Sequence, residues 1–85
     1  MSLLLDWKPG ALRELERLDP TNRQRILAAM VRFAESRQGD VRKLADKHPP
    51  EYRLRVGGWR VRFAWDQPSG TLTVLHVFKR GQGYE

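Results

Sequence analysis

The sequence predicts an α+β fold: two N-terminal helices packed on an antiparallel sheet, in the order β-α-α-β-β-β. Three observations carry that expectation. Apolar residues recur at helical spacing over residues 11–34, whereas from Glu51 onward the period becomes two. The pair Gly57-Gly58 interrupts the alternating stretch, as a tight hairpin turn does. The length of 85 residues allows one modest core, so residues 1–85 are expected to form a single domain.

Leu3 to Trp7 is a short, mostly apolar strand candidate. Lys8-Pro9-Gly10 follows as a turn, and Pro9 suits a first helical turn, where its missing N–H costs nothing. Ala11, Leu12, Leu15 and Leu18 then line one side of a first amphipathic helix, with Arg13, Glu14, Glu16 and Arg17 between them. Asp19-Pro20 reads as an N-cap followed by proline at the first helical position. Ile26, Leu27, Met30, Phe33 and Ala34 form the apolar stripe of a second helix, and Gly39 is its expected stop. Residues 40–50 lack clear periodicity and read as a loop, which Val41 and Leu44 would pin to the core. His48-Pro49-Pro50 imposes an extended entry to the strands beyond.

The hairpin register follows from its turn. If Gly57 and Gly58 are the two turn residues, Val56 faces Trp59, Arg55 faces Arg60, Leu54 faces Val61, Arg53 faces Arg62 and Tyr52 faces Phe63. One side of the hairpin is then apolar and the other carries four arginines; a one-residue slip would mix the two. Like charges directly opposite each other destabilise a sheet. Two stacked arginine pairs therefore suggest a bound anion, such as a nucleic-acid backbone, or else side chains splayed into water. Pro68-Ser69-Gly70 marks the next turn, and Thr71 to Lys79 supplies a third strand. If that strand stays regular, Leu75 and Val77 join the core while Val74, His76, Phe78 and Arg80 alternate onto the open face.

Composition narrows the chemistry. Without cysteine there are no disulfides, no thiolate nucleophile and no cysteine-based zinc site. His48 and His76 are too few for a metal cage, and neither a metal nor a cofactor is expected. No apolar run approaches membrane-spanning length, and the start lacks the pattern of a signal peptide, so the expected location is cytoplasmic. The net charge is +6, and twelve of the 16 basic residues are arginine, whose planar fork can hold two phosphate oxygens. The charge is spread along the chain rather than gathered in a tail. Arg62, Lys79 and Arg80 can neutralise phosphate; Phe78 and Tyr84 can stack on a base; His76 can carry a proton.

The run Tyr52-Arg53-Leu54-Arg55-Val56-Gly57-Gly58-Trp59-Arg60-Val61 resembles the signature of the RelE/ParE toxin superfamily, in which a tyrosine-basic-apolar-basic strand leads through a glycine turn to aromatic-arginine. Val74-Leu75-His76-Val77-Phe78-Lys79-Arg80, with Tyr84 beyond it, resembles the final strand and the C-terminal arginine and tyrosine of RelE-like toxins. Ala11-Leu12, Leu15 and Leu18 match the first helix, and Asp40-Val41-Arg42-Lys43-Leu44 the segment before the hairpin. The resemblance implies a RelE-like microbial RNase-type fold and a type II toxin that cuts mRNA at the ribosome without a metal, by attack of the 2′-hydroxyl on the adjacent phosphate. It implies a cognate antitoxin, acidic and partly disordered. It places Arg53 and Arg55 at the positions of the hairpin basic pair, Arg60 on the phosphorane, Arg80 on the leaving oxygen and Tyr84 on the base. Arginines at 53 and 55, where some relatives carry lysine, make poor proton acceptors. That duty is left to Glu51, to His76 or to ribosomal RNA. Two alternatives stand beside it: a ParE-like toxin that poisons DNA gyrase, which shares the fold, and an RNA-binding module without catalysis, which needs only the basic face.

Overall fold

The computed structural model describes residues 2–82. Its elements run β1 (Leu4–Trp7), α1 (Pro9–Glu16), α2 (Pro20–Ser36), β2 (Asp40–Lys43), β3 (Glu51–Val56), β4 (Trp59–Asp66) and β5 (Thr71–Lys79). They form one five-stranded sheet in the order β1-β5-β4-β3-β2. The first strand forms one edge of the sheet by pairing parallel to β5, while every other pairing is antiparallel.

Both helices begin where the sequence places them. Pro9 opens α1, and Asp19 caps α2 by accepting from the backbone N–H of Asn22, with Pro20 next. The side-chain amide and then the backbone N–H of Asn22 hold the Asp19 carboxyl below its ordinary value, since both bonds favour the charged form. Arg23 reaches back to the carbonyl of Leu18 (3.0 Å) and so closes the corner between the helices. The end of α2 differs from expectation. Arg37, not Gly39, takes the left-handed cap conformation (φ 62°), and its N–H bonds to the Phe33 carbonyl. Its guanidinium satisfies the Ala34 carbonyl at 2.7 Å and lies 6.0 Å from the Trp65 ring centroid, contacts that favour a conformation normally left to glycine.

The helices cover one face of the sheet. Ala11 and Leu15 of α1 and Ile26, Met30, Phe33 and Ala34 of α2 close over Leu54, Val61, Phe63, Leu72, Val74 and Val77. Phe33 meets Phe63 and Trp65 at 5.3 and 5.6 Å between centroids, and Tyr52 stacks on Phe63 at 5.7 Å. This aromatic cluster docks α2 on β3 and β4 and uses edge and offset geometries that favour ring pairs.

Two corrections concern the strands. Asp40–Lys43 is a strand rather than loop; it pairs antiparallel with β3 and forms a sheet edge. Four residues with only Val41 facing inward give too short a pattern to read as a period. The second correction is in β5, where the register shifts between Arg62 and Phe63: Arg62 opposes His76 but Phe63 opposes Val74. Leu75 is the extra residue of this bulge, which reverses the side-chain parity before it. Val74 is consequently in the core, fully buried, and Leu75 only half-buried. Val77, beyond the bulge, joins the core as expected.

Candidate nucleic-acid interface

The β3–β4 hairpin has the register deduced from its glycines, from Val56 opposite Trp59 to Tyr52 opposite Phe63. Gly57 takes φ 59°, the left-handed conformation that the turn requires and that glycine adopts without a Cβ clash. Because the register holds, the face opposite the helices collects charge in two adjacent rows. Asp40, Arg55, Arg60 and Phe78 stand side by side on β2, β3, β4 and β5. Arg42, Arg53, Arg62 and His76 form the neighbouring row.

Each arginine pair is supplied with one carboxylate. Arg55 donates from Nε to Asp40 at 2.7 Å in an exposed ion pair, and Arg62 donates to Glu51 at 2.5 Å in a largely buried one. Repulsion within the rows is therefore partly relieved by the protein itself. Among the described residues, this face carries five arginines and the two carboxylates of Asp40 and Glu51. Arg62 also has a buried Nε with no hydrogen-bond partner among the described residues. Arg42, Arg53, Arg55 and Asp40 enclose a small hollow of about 60 Å³.

The expected site residues do not all behave alike. Arg53 and Arg55 lie on the face as anticipated. Arg60 does so too but is only 4% exposed; its Nη1 donates to the carbonyls of Gly57 (3.0 Å) and Trp59 (2.9 Å). A charge buried to this extent requires such partners, and they fix the guanidinium beside the turn. Phe78 shares Arg60's row but is buried, not the open stacking platform that strand parity predicts. His76 is half-exposed opposite Arg62, and its Nδ1 lies 3.7 Å from Oε1 of Glu14. Lys79 falls in the row of Trp59, on the other side of the sheet from Arg60, with its ammonium 5.9 Å from the Trp59 ring centroid. Arg80 follows β5, is exposed, and donates its backbone N–H to the Gly58 carbonyl at 2.9 Å, next to the hairpin turn. Tyr84 lies outside the described residues. Sequence reasoning did not include Asp40 and Arg42 in the site, because their strand was read as loop, nor Glu14, which comes from a helix 63 positions before the backbone N–H it accepts.

The chain was compared with known proteins. The family model for the ParE toxin of type II toxin–antitoxin systems matches residues 5–84. No curated protein matches the chain. Among solved structures, the archaeal RelE–RelB complex from Pyrococcus horikoshii OT3 superimposes with a TM-score of 0.82 at 20% identity, over 98% of this chain and 100% of that one. The isolated E. coli RelE toxin gives 0.74 at 22% identity, over 98% and 89%. The RelBE2 toxin–antitoxin complex from Mycobacterium tuberculosis gives 0.63 at 26% identity, over 94% and 100%. A match spanning nearly the whole sequence, together with a fold that superimposes on RelE toxins, shows that the chain belongs to the ParE toxin family of type II toxin–antitoxin systems, within the RelE/ParE superfamily.

Proposed function

We propose that this toxin is an endoribonuclease that cuts mRNA at the ribosome, with the arginine face as its RNA site. The observation that carries this reading is the pair of charge rows. Side chains from β2, β3 and β4 converge on the side of the sheet away from the helices, and among the described residues guanidinium groups there outnumber carboxylates. A ribose–phosphate chain brings negative charge to that face, and the cost of gathering like charges is then offset by binding. Arg53, Arg55, Arg62 and Arg42 hold phosphates. Arg60 is already fixed by two carbonyls just below the surface and acts as a preorganised positive charge on the phosphorane. Arg80, at the same end of the sheet, assists the leaving oxygen. Tyr84 orients the base. Phe78 packs beneath this site rather than stacking on RNA, and Lys79 contributes charge from the far side. The nucleophile is the RNA's own 2′-hydroxyl, so the products carry 2′,3′-cyclic phosphate and no metal-bound water is needed.

The partner in this reading is a cognate antitoxin, acidic and partly disordered, that offsets the net charge of +6. RelB stands in that place in the archaeal RelE–RelB complex. The test is to add the purified toxin to translating ribosomes and sequence the ends of the mRNA. Cleavage with cyclic phosphate ends is expected, slowed by roughly 10²–10³ in Arg60→Ala and in Arg80→Ala, the usual effect of deleting one fixed donor to transition-state charge. Uncut mRNA would refute the nuclease reading; normal rates in both variants would refute the site. A second reading, poisoning of DNA gyrase, rests on the family model's description as ParE. Unimpaired supercoiling alongside arrested translation would dispose of it.

A further inference from the structure

The arginine face lacks an obvious proton acceptor. A guanidinium stays protonated at any physiological pH, so none of the five arginines takes the proton of a 2′-hydroxyl. Glu51, the carboxylate nearest the centre of the rows, is held by Arg62 at 2.5 Å, and removing it would leave that arginine buried without its counter-charge. Asp40, on the edge strand, is held in the same way by Arg55 at 2.7 Å. That leaves His76, directly across the β4–β5 ladder from Arg62. Side chains opposed in this way stand about 4.5–5.5 Å apart at Cβ.

The surroundings of His76 are specific. β1 ends at Trp7 opposite Val74, so among the described residues β5 from residue 75 onward has no strand on that side. The last contact of β1's chain is the Lys8 backbone N–H on the Val74 carbonyl at 2.9 Å. The open edge is closed instead by α1. Glu14 accepts the backbone N–H of Val77 at 3.0 Å, and the same oxygen, Oε1, lies 3.7 Å from Nδ1 of His76. One carboxylate thus anchors to the backbone beside the imidazole and faces one of its two nitrogens. Arg62 from β4, with Arg53 next in the row on β3, supplies the charges on the other side. The bulge at Leu75 is what brings this about, because it sets His76 rather than Leu75 opposite Arg62.

We infer that His76 is the general base of the cleavage reaction and Glu14 its positioning residue, an inference that rests on the RNA-cleaving reading above. With Nδ1 turned to Glu14, Nε2 takes the proton of the 2′-hydroxyl. The 2′-oxygen forms its bond to phosphorus, the bond from phosphorus to the 5′-oxygen breaks, and that oxygen takes up a proton from solvent. The imidazolium then returns its proton to solvent, so charge and protons balance over the turnover. Arg60 and Arg53 hold the phosphate while this occurs.

The experiment is a single-turnover measurement of mRNA cleavage on ribosomes, from about pH 5 to 8, where a histidine changes its charge. The wild-type rate is expected to rise with pH. In His76→Ala it falls by roughly 10²–10⁴, the usual contribution of general acid–base catalysis, and loses that rise. Toxin binding to ribosomes stays unchanged, and added imidazole restores cleavage, since His76 is exposed enough to be replaced from solution. Glu14→Gln keeps an oxygen for the Val77 N–H and removes only the charge; it is expected to slow cleavage without changing ribosome binding. Full activity in His76→Ala, or a loss that imidazole does not restore and that tracks weakened binding, would overturn the assignment of the base. A Glu14→Gln protein with wild-type rates would reduce Glu14 to a backbone cap. If wild-type toxin itself leaves the mRNA whole, the parent reading fails and this one with it, an outcome distinct from an active toxin indifferent to His76.

Discussion

The two faces of the sheet are built from alternate residues of the same strands, yet they obey different rules. On the helix side, Leu54, Val61, Phe63, Leu72, Val74 and Val77 are buried to within a few per cent, and hydrophobic burial accounts for each of them. On the other side, arginines oppose arginines along β3 and β4, an arrangement that stability alone does not favour. The protein mitigates it with Asp40 and Glu51, one carboxylate to each pair. The contrast separates residues that hold the chain together from residues that stability alone does not select, and substitutions on the two faces should separate in the same way.

The largest effect on stability is expected at the core of the helix-side face. Phe63 is fully buried and touches Phe33 and Tyr52. Phe63→Ala should cost about 3–5 kcal/mol, read as a fall in the denaturation midpoint. Next is Glu51→Ala, which strips Arg62 of its counter-ion in a largely buried pair. It should cost about 1–3 kcal/mol, the range for leaving a buried polar group unsatisfied. A neutral result there would show that the arginine face tolerates unpaired charge, and would weaken the contrast. Arg42→Ala should leave the denaturation midpoint nearly unchanged, because Arg42 is exposed on an edge strand. Its effect belongs to RNA: the slope of log affinity against log salt should become shallower by about 0.7 for single-stranded RNA. An unchanged slope would remove Arg42 from the interface.

The smallest effect is at the α2 cap and has a definite sign. The folded carboxyl of Asp19 is held below its ordinary value of 3.8, chiefly by its bonds to Asn22. The associated stabilisation is fully present above that ordinary value and is lost as pH falls through the lower folded one. Asp19→Asn keeps a capping side chain but cannot titrate. Its stability should therefore fall less steeply below about pH 4 than that of the wild type, as followed by thermal melts across the acid range.

Much of this contrast is legible in the sequence because parity is rigid. Once Gly57 and Gly58 are accepted as a turn, every residue from Tyr52 to Phe63 has only one face available, and the observed register is the one deduced. β5 is different. Val74 and Leu75 are adjacent and both apolar, so either can be taken as the inward residue. Parity counted from Val77 puts position 75 in the core and position 74 on the open face, the reverse of the structure. β2 is too short to show a period, and its partnership with β3 depends on residues beyond the intervening loop, such as Arg55 opposite Asp40. Glu14 has the appearance of an ordinary exposed helix residue; only the early end of β1 turns it toward the β5 edge. Arg37 took the helix-ending role expected of Gly39 because Ala34 and Trp65 meet its guanidinium, a tertiary contact that no local pattern announces.

If the arginine face serves RNA rather than the fold, the double variant Arg53→Ala/Arg55→Ala separates the two roles in one protein. Denaturation and cleavage of ribosome-bound mRNA would be measured on the same preparation. The expected outcome is a denaturation free energy within about 1 kcal/mol of wild type, as for surface side chains, and a cleavage rate at least about 100-fold lower. A variant that melts early but, while folded, cuts mRNA at the wild-type rate would contradict it.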